Sequence, residues 1–445
     1  MEIKLYNSLT NKLEVFKPLV EGEVSLYVCG PTVYDYVHVG NMRPVVVFDT
    51  LTNFFSYLGY RVKHVSNYTD VDDRIIQKAI AGGVSEKAIA EKYISAYEEN
   101  IDDINAKKPT VSPRVTEFMP EMIEFIKALI DKAAAYEKNG NVYFRVESDS
   151  DYGELSNAHK DDLLVGARIE ENMEKESPLD FVLWKKTLEG VRWDSPWGPG
   201  RPGWHTECVV MIDSIFPQKY IDIHGGGFDL KFPHHENEIA QSRALNNNTI
   251  AQIWMHNGFI NFDNQKMSKS LGNVVTARDA LKQFGGNTLR LLLLETHYRA
   301  PVNFTLEVAT SAKNEIDKIL NTYKQLAVTL QEHDLDLASG TSQGIEPFLS
   351  ALADDLNTSN AISELFLVVK NINSALRNKD LNLKNLLNNF AVFRDMLMIL
   401  GIKASYPVLD ESARMLLVNY RKAKAERRFD ESDRLRAQLI ERNIF

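Results

Sequence analysis

Cysteine is scarce: the 445 residues hold two, Cys29 and Cys208. One disulfide is the most they could make, and a reducing compartment disfavours it, so metal ligation and plain burial are the readings left open. An excess of positive charge is missing as well. With 51 Lys and Arg against 61 Asp and Glu the chain carries a formal charge of -10, which excludes a strongly basic nucleic-acid coat and leaves room only for a local basic face. No apolar run approaches the ~18 residues of a membrane span. The start, Met1-Glu-Ile-Lys-Leu-Tyr6, lacks the charged, apolar and cleavage regions of a secretory signal. The expectation is a cytoplasmic protein with no membrane contact. Internal repeats and low-complexity segments are absent too. What is there, 44% hydrophobic and 25% charged residues, is the composition of a globular protein too long for one ordinary core.

Residues 24–29 read as a buried strand, and Val47, Phe48, Leu51, Phe54, Phe55 and Leu58 then recur at helical spacing up to a C-capping Gly59. A second strand over 60–67 leads to Asp72, a helix N-cap, and strand-helix-strand makes a βαβ unit. Two polar helical segments from Val84 to Tyr136, parted near Pro109 to Pro113, break the alternation and read as an insertion. Four of the five tryptophans, Trp184, Trp193, Trp197 and Trp204, follow it, either as packing anchors or as a pocket lining. The alternation resumes with a strand over 219–224 ending in Gly225-Gly-Gly227, a helix over 233–245 and a strand over 252–256. Helices follow from Thr276 and Asn287, and beyond Thr305 the pattern is amphipathic helix broken by a polar linker over 332–344. The fold class is α/β: a Rossmann-like, doubly wound parallel sheet split by an insertion, followed by an all-α helical bundle. The expected divisions are 1–85 and 201–285 for the two half-sheets, 86–200 for the insertion, 286–330 for linking helices and 331–445 for the bundle.

Three constellations can carry chemistry. The loop from Cys29 to Asn41 joins the first strand to the first helix, where such sheets bind ligands and where a helix N-terminus offers free N–H groups to an anion. Within it, Gly40 of His38-Val-Gly40 allows a phosphate close to the backbone. His234 and Glu238 stand four apart on a helix and share a face, so both can meet one ion, with His235 competing at three apart. Thiolate, imidazole and carboxylate are all zinc ligands, although spacing alone does not bring Cys29 and Cys208 to the pair. Lys266-Met-Ser-Lys-Ser270 puts two ammonium groups in a polar loop, suited to phosphates on which charge develops.

His38-Val-Gly-Asn41 together with Lys266-Met-Ser-Lys-Ser270 on a split nucleotide-binding sheet resembles the class I aminoacyl-tRNA synthetases. Tyr27-Val-Cys-Gly-Pro-Thr-Val-Tyr34, Gly203-Trp-His-Thr-Glu-Cys208 and Phe232-Pro-His-His-Glu-Asn-Glu238 are similar to the cysteine-specific family, collinearly from Leu5 to the end of the chain. The resemblance implies activation of L-cysteine by ATP, with Mg2+, to cysteinyl-adenylate and transfer to the terminal adenosine of the tRNA for cysteine, by a monomer. It implies one Zn2+ held by Cys29, Cys208, His234 and Glu238, which takes the substrate thiolate and so rejects serine. For ATP it implies Gly30, Thr32, His38, Gly40, Asn41, Gly227, Asp229, Lys266 and Lys269, of which His38, Lys266 and Lys269 act in catalysis. For cysteine it implies Thr69, Trp204 and His224.

Asn41 departs from the class signature, which often has a second histidine there. The chain also stops at Asn443-Ile-Phe445, short of the family's basic, Gly-containing tail, which bears on the strength or specificity of anticodon contact. Asp354-Asp-Leu-Asn-Thr358 resembles a helix-start element, and Arg421-Lys-Ala-Lys-Ala-Glu-Arg-Arg428 suits a tRNA backbone or a solvated face. A mycothiol-type ligase that joins cysteine to an amino sugar and a silent tRNA-binding paralogue are the alternatives. The long helical region opposes the first, and the intact lysine loop and ligand set oppose the second.

Overall fold

Residues 1–158, 174–262, 265–266 and 275–444 are described by a computed structural model. They divide into two compact units, Glu2–Gln283 with Tyr298–Phe304, and Phe284–His297 with Thr305–Phe445.

The first unit is organised by four parallel strands, β1 (Glu23–Val28), β2 (Arg61–Ser66), β3 (Ile221–Gly227) and β4 (Ala251–Asn257), lying in the order β4-β3-β1-β2. These are the four strands expected from the apolar runs, with ends displaced by a few residues. Val24, Leu26, Tyr27 and Val28 of β1 and Ile221, Ile223 and His224 of β3 are all buried, as befits strands covered on both faces. Helix α1 (Met42–Tyr57) carries the chain from β1 to β2 and turns its Phe48 toward β3. A Cβ on Gly225 would stand 2.2 Å from the Phe48 ring, so glycine is what lets α1 come this close.

Between β2 and β3 lie the helices Asp73–Gly82, Glu86–Asp103 and Met119–Asp131 and an antiparallel sheet of four short strands, 135–138, 141–144, 181–186 and 200–202. Asp72 caps the first helix through the Arg74 N–H at 2.8 Å, as its position suggested. The tryptophans take different parts. Trp184 is fully buried and packs on Trp197 at 6.0 Å, whereas Trp204, at the start of helix α2 (Trp204–Ile215), is exposed. Helix α3 (Glu236–Asn246) joins β3 to β4. A helical turn over Lys231–His235, in which only Phe232 has extended backbone angles, φ -139 and ψ 134, leads directly into it, so the helical path runs from the expected residue 233.

The strand order fixes where a ligand can enter. From β1 the chain moves to β2 on one side and later returns to β3 on the other, so the order reverses between β1 and β3. The loops leaving their carboxyl ends, 29–41 and 228–235, therefore part and open a crevice at the switch point.

The second unit is helical: Gly286–Glu295, Leu306–Glu332, Glu346–Ala353, Thr358–Ala375, Leu383–Leu400, Glu411–Ala425 and Phe429–Glu441. Its interior holds Tyr323 stacked on Phe390 at 5.0 Å, and the Thr358 hydroxyl donates to the Leu294 carbonyl at 2.6 Å. In the helix-start element, Asn357 accepts from the Asn360 N–H at 3.1 Å, so capping accounts for that sequence. Among the described residues no helix is long and apolar enough to cross a membrane.

Candidate active site

Cys29 follows the last residue of β1, Cys208 lies on α2, and His234 and Glu238 stand one turn apart where the β3 loop runs into α3. One ligand atom from each of the four lies within 4.8 Å of every other. The Sγ atoms are unbonded at 3.5 Å, Cys208 Sγ is 3.7 Å from His234 Nε2, and His234 Nε2 is 2.8 Å from Glu238 Oε1. A tetrahedron of thiolates about zinc, with Zn–S near 2.3 Å, has S···S edges of about 3.8 Å. The donor set is therefore of zinc size and composition.

Buried partners back these ligands. His224, fully buried on β3, donates from Nε2 to Glu238 Oε2 at 2.8 Å. His256 Nε2 reaches His235 Nδ1 at 2.8 Å, and His235 Nε2 reaches Cys29 Sγ at 3.3 Å. Among the described residues Nδ1 of His224 and of His256 has no hydrogen-bond partner. His234 Nδ1 meets His205 Nδ1 at 3.1 Å, which leaves Nε2 aimed at the cluster.

The charges within the cluster are strongly perturbed by burial and by one another. Burial opposes charge throughout, but Glu238 beside it raises His234 to about 10, and His224 and His234 hold Glu238 well below the carboxylate range despite that burial. Burial also opposes the Cys208 thiolate, yet the hydrogen bond from Cys29 and the proximity of His234 bring it to about 6. Burial and the neighbouring Cys208 push Cys29 up. A second group, Cys29, His224, His235 and Glu238, is equally compact. It offers one sulfur in place of two, and its histidines already serve Glu238 and Cys29 as donors.

Alongside the cluster runs a cavity of about 380 Å³ lined by Cys29, Gly30, Thr32, His38, Gly40, Asn41, Trp204, Gly227 and Asp229. Trp204 stacks on His234 with centroids 4.3 Å apart. Thr69 and His224 are buried. The Thr69 hydroxyl donates to Glu207 at 2.7 Å, and Thr69 pairs with Thr32 in a parallel bridge. Burial raises the Glu207 carboxyl well above its ordinary value. Lys266 is placed only as backbone, paired with Asn261, and Lys269 lies outside the described residues.

The sequence did not single out Arg74, Asn67, His205 or His256. Arg74 lines the cavity, donates to Thr32 Oγ1 at 3.2 Å and lies over the Tyr34 ring at 4.5 Å. Asn67 accepts from the Gly30 N–H at 3.0 Å. Asn67 and His256 sit at the carboxyl ends of β2 and β4, and that position in a parallel sheet was the available signal. In the basic stretch of the helical unit, Arg421 pairs with Glu332, and Arg428 with Glu426 and Glu431. Lys422, Lys424 and Arg427 are exposed beside them.

Asn41 has a local task. Its side-chain oxygen accepts from the His38 N–H at 3.1 Å while its own N–H donates to the His38 carbonyl at 2.9 Å. Asn41→Ala removes one of these bonds and should cost about 1 kcal/mol. Thermal unfolding checks it: Asn41→Asp, which keeps an acceptor, should melt above the alanine variant, and an alanine variant with the wild-type midpoint refutes the assignment.

A family model described as the class I (C) tRNA synthetase catalytic domain matches residues 15–314, and a DALR domain model matches residues 347–404. The cysteine–tRNA ligase of Streptococcus agalactiae serotype Ia is 45% identical over 446 residues, which cover 99% of this chain and 97% of that protein. That of Brevibacillus brevis is 44% identical over 455 residues, covering 100% and 97%. Methionyl-tRNA synthetase of Mycobacterium tuberculosis, solved with methionyl-adenylate, matches with a TM-score of 0.64 at 15% identity, over 89% of this chain and 94% of that one, a likeness of fold. The chain belongs to the cysteine–tRNA ligases and is a class I aminoacyl-tRNA ligase for cysteine.

Proposed function

We propose that the crevice joins L-cysteine to the α-phosphate of ATP as cysteinyl-adenylate, then passes the cysteinyl group to the 3′-terminal adenosine of the tRNA for cysteine. One observation carries the reading: the loop 29–41 has Cys29 of the four-donor cluster at one end and His38 to Asn41 on the cavity wall at the other. A single short segment thus sets the distance between the anchor of the substrate sulfur and the phosphate that its carboxylate must reach.

The substrate carboxylate is itself the nucleophile and pyrophosphate the leaving group, so the chain has to align and to neutralise charge. His38, Gly40 and Asn41 would face the ATP, with Gly30, Thr32, Gly227 and Asp229 around it, and Lys266 and Lys269 would neutralise the phosphates of the ATP and its Mg2+. Cys29, Cys208, His234 and Glu238 hold zinc, which when bound supplies a Lewis-acid centre that prefers a thiolate to an alcohol. His224 fixes the orientation of Glu238 and His235 that of Cys29, as partners behind metal ligands do. Trp204 covers the amino-acid end, and Thr69, through Glu207, stiffens its wall. On this reading 1–85 and 201–285 are the halves of the activating domain, 86–200 the insertion, 286–330 linking helices and 331–445 the tRNA-binding part.

Cysteine-dependent exchange between pyrophosphate and ATP tests the first step, and charging of a cysteine tRNA the second. Zinc-replete protein should do both. Exchange without charging points to an amino-sugar acceptor, and no exchange refutes the activation step.

A further inference from the structure

Just downstream of the lysine loop the chain returns to the cavity wall. The Val39 N–H donates to the Val275 carbonyl and the Ala277 N–H to the Val37 carbonyl, each at 2.9 Å, so that His38 and Thr276 form an isolated antiparallel bridge. Thr276 then starts the helix Ala277–Phe284: its hydroxyl accepts from the Asp279 N–H at 3.1 Å and donates to the Asp279 carboxylate at 2.6 Å. The next residue but one, the exposed Arg278, lies with its guanidinium 4.6 Å above the ring of Tyr36. That ring lines the cavity and meets Tyr93 edge-on at 5.2 Å.

We propose that Tyr36 and Arg278 are a positioning pair for the nucleotide, clamping the backbone of His38 to the segment that follows Lys266 and Lys269. This rests on the ATP-dependent reading above. Two backbone hydrogen bonds alone are a weak joint, since each competes with water. A guanidinium on an aromatic face adds a tie that is indifferent to small rotations and fastens side chain to side chain across the same bridge. The cysteine end of the site, at Cys29 and Cys208, takes no part in it.

Exchange kinetics at varied ATP and varied cysteine test the pair in wild type, Tyr36→Ala, Arg278→Ala and the double variant, with Arg278→Lys and Tyr36→Phe as conservative rescues. KM for ATP should rise about fivefold in Arg278→Ala and roughly tenfold in Tyr36→Ala, where ring packing on Tyr93 is lost too. KM for cysteine should stay within about twofold, the rescues should keep most of the ATP affinity, and the double variant should be no worse than Tyr36→Ala, since the tie can be lost only once. An unchanged KM for ATP, parallel rises in both constants, or multiplied effects in the double variant overturn the proposal. Should Tyr36→Ala fail to fold by circular dichroism, Arg278→Ala, altered at an exposed position, decides alone. Wild type without exchange overturns the ATP reading and the pair with it, whereas active wild type with insensitive variants overturns only the pair.

Discussion

Cys208→Ser should lose zinc and, with it, cysteine, while ATP binding survives. The substitution is nearly isosteric at a position only 2% exposed, so packing around α2 is retained and the loss is of a ligand. A hydroxyl is a far poorer zinc donor than a thiolate, and Cys208 supplies one of the two sulfurs of the cluster. Disturbing the partners of a metal ligand commonly costs 10- to 100-fold, so removing a ligand itself should cost about 100-fold or more in zinc affinity. KM for cysteine should rise by a similar factor and KM for ATP by no more than about twofold, because Cys208 lies on α2, outside the 29–41 loop that carries most of the ATP residues. Metal analysis of purified protein and exchange kinetics with each substrate varied measure both. Equal loss of cysteine and ATP binding would show an ion that only supports the fold.

How far that result could be foreseen differs from residue to residue. His234 and Glu238 were legible as a pair because four positions on a helix share a face, but His235 satisfied the same rule with Glu238. What separates them is where each ring goes: His234 Nε2 reaches Cys208 and His235 Nε2 reaches Cys29, and no periodicity encodes that. The joining of Cys29 to Cys208 across 179 positions depends on strand order. The sheet itself was legible because alternating apolar runs and helical spacing leave few topologies. The tryptophan cluster was not, since burial of Trp184 and exposure of Trp204 are decided by an antiparallel sheet whose register only tertiary contacts set. His224 and Thr69, expected near the substrate cysteine, are buried, with hydrogen bonds to Glu238 and Glu207.

Gly30→Ala should damage fold and site together. A Cβ on Gly30 would stand 1.7 Å from the carbonyl oxygen of Asn67 and 2.8 Å from its carbon. Those are backbone atoms, so no side-chain rotation relieves the clash and the two loops have to separate. Separation strains the Gly30 N–H bond to Asn67 at 3.0 Å, the Val33 N–H bond to the Thr69 carbonyl at 3.1 Å and the Thr69 N–H bond to the Pro31 carbonyl at 3.2 Å. Overpacking of this kind costs about 1–3 kcal/mol when side chains can yield, and the upper end or beyond is expected where they cannot. Thermal unfolding should show a midpoint several degrees lower, and KM for cysteine should rise because Cys29 is the adjoining residue. Gly82→Ala is the control: its Cβ would meet only Val84 Cγ2 at an ordinary 3.6 Å, and alanine in a helix gains roughly 0.5–1 kcal/mol over glycine. If Gly30→Ala melts and binds cysteine like wild type while Gly82→Ala behaves as expected, the close seating of loop 29–33 on loop 67–69 is not what holds Cys29 in place.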